Sequence, residues 1–182
     1  LSINQFQGVL PNSIANLSNQ LTELYFGVNE ISGTIPASLE NLVNLIGLGM
    51  DHNHFSGTIP TSLGRFQKMQ LLALGGNKLS GEIPTFIGNL TRLFQLDLQE
   101  NGFEGTIPPS IVNCQNLQLL DISQNKLNGS IPQQLIGPSA LQLLHLNLSH
   151  NSFTSTLPFE VGNLKHIIEL DISNNNFSGE IP

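Results

Sequence analysis

Apolar residues recur along this chain in a fixed phrase, L-x-x-L-x-L-x-x-N-x-h-x-G-x-h-P-x-x-h-x-x-h-x-x, where h is any apolar residue. Leu93, Leu96, Leu98, Asn101, Phe103, Gly105, Ile107, Pro108, Ile111 and Cys114 fill one copy. The proline returns at Pro11, Pro36, Pro60, Pro84, Pro108, Pro132, Pro158 and Pro182, at spacings of 25, 24, 24, 24, 24, 26 and 24 residues. An asparagine stands seven residues before each of them, from Asn4 to Asn175. A period of this length marks a solenoid, in which each unit buries its apolar face only against its neighbours. Function is then expected on a surface built from equivalent positions of successive units.

Within a unit the alternating L-x-L stretch predicts a short strand with its leucines inward, as at Leu96 and Leu98 or Leu120 and Ile122. Stacked copies form a parallel sheet with strands about 4.8 Å apart. The asparagine falls where the strand turns inward, and its amide can both donate to and accept from backbone groups of the bend. Four residues on, Gly8, Gly33, Gly57, Gly81, Gly105, Gly129 and Gly179 predict positive φ or close approach of neighbouring coils. Ser155 takes that place in the seventh copy, whose turn is expected to be the least regular. An apolar column of Phe6, Ile31, Phe55, Leu79, Phe103, Leu127, Phe153 and Phe177 predicts a continuous spine. After the proline, apolar residues at every third position, such as Leu39, Leu42 and Leu45, predict 3₁₀-like outer turns. Gln20 adds one residue to its copy, and the stretch from Gly137 to Gln142 carries two. The expected architecture is one domain over residues 1–182, an α/β solenoid of about eight units, the first and last incomplete.

The L-x-x-L-x-L-x-x-N phrase resembles leucine-rich repeats. The segments Ser32 to Pro36, Ser56 to Pro60, Ser80 to Pro84 and Ser178 to Pro182 read S-G-x-I-P and are similar to the plant-specific class. With Leu170-Asp171-Ile172-Ser173, the chain resembles the ectodomain of a plant receptor-like kinase, in the subgroup that includes immune receptors for bacterial peptides. The resemblance implies a right-handed superhelix with a parallel concave sheet. It also implies a membrane span and a Ser/Thr kinase in the parent, a location in the apoplast at the plasma membrane, a peptide or protein ligand, and a co-receptor kinase. The family's paired-cysteine caps are missing, which predicts an internal segment of a longer array. The alternative is a secreted leucine-rich-repeat binding protein without a kinase, such as an inhibitor of microbial cell-wall-degrading enzymes.

Charge sharpens the picture of the concave face. Residues between the inward leucines form three columns: Glu23, Gly47, Leu71, Gln95, Leu119, His145, Glu169; Tyr25, Gly49, Ala73, Asp97, Asp121, Asn147, Asp171; and Gly27, Asp51, Gly75, Gln99, Ser123, Ser149, Ser173. All six Lys and Arg residues fall outside these columns, while Glu23, Asp51, Asp97, Asp121, Glu169 and Asp171 fall within them. The net charge is −7, which argues against nucleic acid, since phosphate binding needs clustered cations. A neutral or basic ligand is expected, contacting Tyr25, Leu71, Gln95, Asp97, Gln99, Leu119, Asp121, His145 and Asp171. The arginine pair with which some receptors of the resembled family hold a ligand's free carboxylate is missing from these repeats.

Enzyme chemistry is not expected. Asp97 and Asp121 lie at the same position of adjacent strands, at a spacing compatible with retaining glycosidases. A flat, wet sheet, however, is expected to offer nothing that raises one pKa or shapes a sugar pocket. The histidines are not clustered at metal-ligand spacing, and neither metal nor cofactor is expected. Ice binding would need a flat ladder of one residue type, which the mixed concave columns do not provide. Five N-x-[ST] sequons, at Asn16, Asn89, Asn128, Asn147 and Asn176, fit a secreted glycoprotein. Asn16 and Asn89 share an outer-turn slot, whereas a glycan on Asn147 would mask part of the concave face.

Overall fold

The computed structural model describes residues 1–136 and 142–182. Fourteen short strands, numbered β1 to β14 in chain order, alternate between two parallel seven-stranded sheets. The concave sheet gathers β2 (Glu23–Tyr25), β4 (Gly47–Gly49), β6 (Leu71–Ala73), β8 (Gln95–Asp97), β10 (Leu119–Asp121), β12 (His145–Asn147) and β14 (Glu169–Asp171). Its register is that of the columns: Gln95 pairs with Leu119 and Asp97 with Asp121, which in turn pairs with Asn147. The middle residues of β2 to β12 point into the core, with Leu48, Leu72, Leu96, Leu120 and Leu146 almost wholly buried, whereas Leu170 of β14 is exposed.

The second sheet is a feature the repeat phrase did not predict. It contains β1 (Gln7–Val9), β3 (Glu30–Thr34), β5 (His54–Gly57), β7 (Lys78–Glu82), β9 (Gly102–Gly105), β11 (Lys126–Gly129) and β13 (Ser152–Phe153). A glycine inside so short a stretch reads as a break. Here it bends the strand without ending the ladder. At Gly33 and Gly81, φ is +84° and +80°, and a Cβ would lie 2.9 Å from Val9 Cγ1 and 3.0 Å from Thr58 Cγ2 of the unit before. Conformation and close approach both demand glycine. Ser155 adopts the same geometry at φ 83°. Its strand is the shortest, and the ladder continues past it only as a lone bridge between Thr156 and Ser178.

After each proline the chain turns over the convex side. Six segments, from Asn12–Asn16 to Phe159–Asn163, are 3₁₀-helical, and the sixth unit has a single α-helical turn at Gln133–Ile136. The two extra residues expected between Gly137 and Gln142 fall largely outside the described residues. The spine is fully buried from Phe55 to Phe153, while Phe6 is exposed and Phe177 half-buried. Among the described residues the apolar core therefore runs beneath both sheets.

The asparagines fasten one unit to the next. Asn101 Oδ1 accepts the Leu79 N–H of the preceding unit at 2.9 Å, and its Nδ2 donates to Leu74 O at 3.0 Å and Gln99 O at 2.9 Å. The same pattern holds at Asn53, Asn77, Asn125, Asn151 and Asn175. The residue before each rung is left-handed, at Val28, His52, Glu100, Gln124, His150 and Asn174 as well as Gly76. Backbone groups that would be orphaned at the bend thus find partners in a neighbouring coil.

Candidate functional site

On the concave face the structure forms a shallow cavity of about 220 Å³ between β8, β10 and β12. Six of the nine expected ligand residues meet in it: Gln95, Asp97, Gln99, Leu119, Asp121 and His145. Tyr25, Leu71 and Asp171 share the face but not the cavity. Asn147 and Glu169 also line it, with Leu96, Leu120 and Leu146 forming its floor. Column position alone pointed to Asn147 and Glu169, and the missing signal was the bond each makes across to a neighbour. Glu169 Oε2 lies 3.1 Å from His145 Nδ1, and Asn147 Nδ2 donates to Asp121 Oδ2 at 3.2 Å.

The four polar residues that end these strands share one local geometry. Each folds its side chain back to accept the N–H two residues on: Asp97 from Gln99 at 3.1 Å, Asp121 from Ser123 at 2.9 Å, Asn147 from Ser149 at 3.1 Å, and Asp171 from Ser173 at 2.9 Å. The serine hydroxyls reinforce two of these caps, with Ser123 donating to Asp121 at 2.6 Å and Ser149 to Asn147 at 2.7 Å. Asp121 therefore accepts from three donors. Asp97 has one well-formed bond, as Asp171 does, and Gln99 stands where Ser123 gives Asp121 a hydroxyl.

Burial raises the Asp97 pKa, and the charges of Asp121 and Asp51 add to the rise against the lowering bonds from Gln99. The expectation that nothing on this sheet raises a carboxylate's pKa therefore fails at Asp97. The cause is close packing over the preceding unit: a Cβ at Gly75 would fall 2.7 Å from Asp97 Oδ1. Asp171 is shifted the other way, held below the ordinary value chiefly by the Ser173 N–H. Asp121, the neighbour of Asp97 on the next strand, is bonded to Ser123 and Asn147.

Towards the first units the same face is closed by an aromatic ring. Tyr25 lies along the sheet over Gly47 and Gly49, where a Cβ on Gly49 would meet its Cδ1 at 2.8 Å. Burial and the nearby Glu23 charge raise its phenol pKa. The histidines on or beside this face are separately engaged. The His52 ring packs over Gly76, His150 Nε2 lies 3.0 Å from Asn174 Nδ2, and His145 faces Glu169. No metal-ligand cluster of His, Cys, Asp and Glu is present among the described residues. Cys114 is buried in the core, its thiol pKa pushed up to about 11 by desolvation.

Stacked units, an asparagine ladder and a concave parallel sheet define a repeat solenoid. The chain belongs to the leucine-rich-repeat family, whose "Leucine Rich Repeat" model matches residues 20–42, 44–66, 68–90, 92–114, 116–137, 142–164 and 166–182. No curated protein matches it closely enough to count as a relative. Among solved structures it is similar to the plant peptide hormone receptor RGFR1 in complex with RGF2, at 34% identity and a TM-score of 0.93 over 99% of this chain and 28% of that one. The Arabidopsis receptor kinase HAESA, solved with the peptide hormone IDA and the co-receptor SERK1, matches at 37% identity and a TM-score of 0.91, covering 98% of this chain and 30% of that one. PEPR1 with AtPEP1 matches at 32% identity and a TM-score of 0.91, covering 96% and 24%. The chain thus spans under a third of the length of these receptor structures. Among the described residues, no helix is long and apolar enough to cross a membrane.

Proposed function

We propose that this chain is an extracellular ligand-recognition segment of a plant receptor-like kinase, binding an extended peptide or protein segment across its concave strands. One observation carries the reading: an open, acidic cavity on a concave sheet whose three columns hold no Lys or Arg. Such a field attracts cations and repels polyanions, so the ligand is neutral or basic. Its apolar groups lie near Tyr25, Leu71 and Leu119, its polar groups near Gln95, Gln99 and His145, and Asp97, Asp121 and Asp171 supply the field. The peptides and co-receptor in the similar structures support a peptide ligand and a co-receptor kinase for the parent of this chain. Membrane span and kinase lie elsewhere in that parent, in the plasma membrane and cytoplasm. The segment itself is non-catalytic and needs no cofactor.

Asn16, Asn89, Asn128 and Asn176 are exposed away from the concave columns and accept N-glycans there. A glycan on Asn147 would break its bond to Asp121 and cover the cavity, so glycosylation there and ligand binding exclude one another.

Random peptides displayed on phage and selected on the ectodomain test this function. The expected pool is rich in Lys and Arg, poor in Asp and Glu, and survives counter-selection on the Asp97→Asn/Asp121→Asn variant, which it no longer binds. An acidic pool, or one indifferent to the variant, would contradict it.

A further inference from the structure

Granting ligand binding on the concave face, the cavity between β8 and β12 still has to be matched to a part of that ligand. We propose that it seats one basic side chain, a Lys or Arg of the ligand. The cationic head pairs with Asp97, and the aliphatic stem lies along Leu119. Three observations converge on this. The cavity of about 220 Å³ is large enough for one such side chain but not for a folded element. Its lining joins the half-buried apolar surface of Leu119 to carboxylates from three strands. Those carboxylates are not equivalent. Asp121 is bound by Ser123 and Asn147, and Glu169 faces His145, whereas Asp97 has only the Gln99 N–H as a well-formed partner.

Asp97 also lacks a cation of its own. The ion pairs among the described residues are Arg65 with Glu40 and His145 with Glu169, neither of which reaches it. A carboxylate crowded over Gly75 and repelled by Asp121 and Asp51 gains most from an incoming cation. A charge-assisted bond there is stronger than a neutral one. A ligand carboxylate would meet Asp97, Asp121 and Glu169 together, so the free C-terminus of a peptide is turned away from this position.

Methyl-labelled leucine spectra of the 182-residue chain, titrated with butylguanidinium and with pentanoate as an anion of similar size, test the seat. Butylguanidinium should move the Leu119 methyls saturably while leaving core methyls such as Leu48 in place; pentanoate should not. Asp97→Asn should weaken the guanidinium about tenfold. Asp121→Asn should have a smaller effect, about threefold at most, since Asp121 acts there only through its field. Gln99→Ser sharpens the test. It gives Asp97 the hydroxyl partner that Asp121 already has, leaves the net charge unchanged, and should also weaken binding. Equal losses in Asp97→Asn and Asp121→Asn, or undiminished binding in Asp97→Asn, would overturn the seat.

Peptides selected on the ectodomain separate this proposal from the broader function. Peptides that bind the concave face as tightly with every Lys and Arg changed to Ala would remove the seat and leave the function. Peptides that bind another surface, while butylguanidinium still titrates Leu119, would remove the function and leave the seat.

Discussion

The two halves of the concave face share one backbone and differ in what fills it. In β2, β4 and β6 the outward positions hold Tyr25, Gly47, Gly49, Leu71 and Ala73, and the tyrosine ring occupies the space that the two glycines vacate. In β8, β10 and β12 the same columns hold Gln95, Asp97, Leu119, Asp121, His145 and Asn147, and a cavity remains between them. A repeat scaffold fixes where side chains stand, not whether they satisfy one another. The first half is closed by its own aromatic ring, while the second leaves a carboxylate short of partners. Recognition is expected where the surface is unfinished.

The largest expected effect strikes the scaffold beneath both halves. Phe103→Ala removes a wholly buried spine ring and should cost about 3–5 kcal/mol in urea unfolding. Asn101→Ala strands the Leu79 N–H and should cost about 1–3 kcal/mol. Comparable losses from a concave substitution such as Gln95→Ala would mean that the two faces have been wrongly distinguished.

Gly47→Gln writes the residue of the open half into the closed one. The new side chain must displace the Tyr25 ring and should cost about 1–3 kcal/mol, with the tyrosine absorption moving toward that of a hydrated phenol. An unchanged spectrum would show that the ring does not close this half.

Asp97→Asn should act in the opposite sense. Burial raises the Asp97 pKa, so the folded chain holds that proton more tightly than the unfolded one. Its penalty is absent below the unfolded value of about 3.9 and complete above the raised folded value. Asn keeps the acceptor for Gln99, as Asn147 does for Ser149. The variant should therefore gain up to about 1 kcal/mol at neutral pH, a gain that vanishes on acidification. Asp171→Asn carries the smallest expected effect and the reverse sign. Its lowered carboxyl stabilises above the unfolded pKa, and that contribution fades as pH falls through the folded one. Melting temperatures of both variants across the acidic range read the two slopes together.

Much of this was legible in the sequence because a repeat reports the same position many times. The register of the concave columns, the asparagine ladder and the spine followed from spacing, and the paired strands match them residue for residue. The second sheet did not follow, since Gly33 and its equivalents look like strand breakers until their neighbours in the preceding coil are known. Within the site, column position brought six expected residues into one cavity. It could not rank Asp97 above Asp121. That difference depends on whether Ser or Gln stands two residues later, and on packing over Gly75, neither of which periodicity encodes.

Carboxyl footprinting of the ectodomain, with and without a selected basic peptide, tests the contrast between the halves most directly. Carbodiimide coupling to glycine ethyl ester reports the accessibility of each acid. The peptide should protect Asp97 strongly and Glu23, at the edge of the Tyr25 contact, far less. Protection of Glu23 with Asp97 unchanged would place the ligand on the closed half and contradict the account.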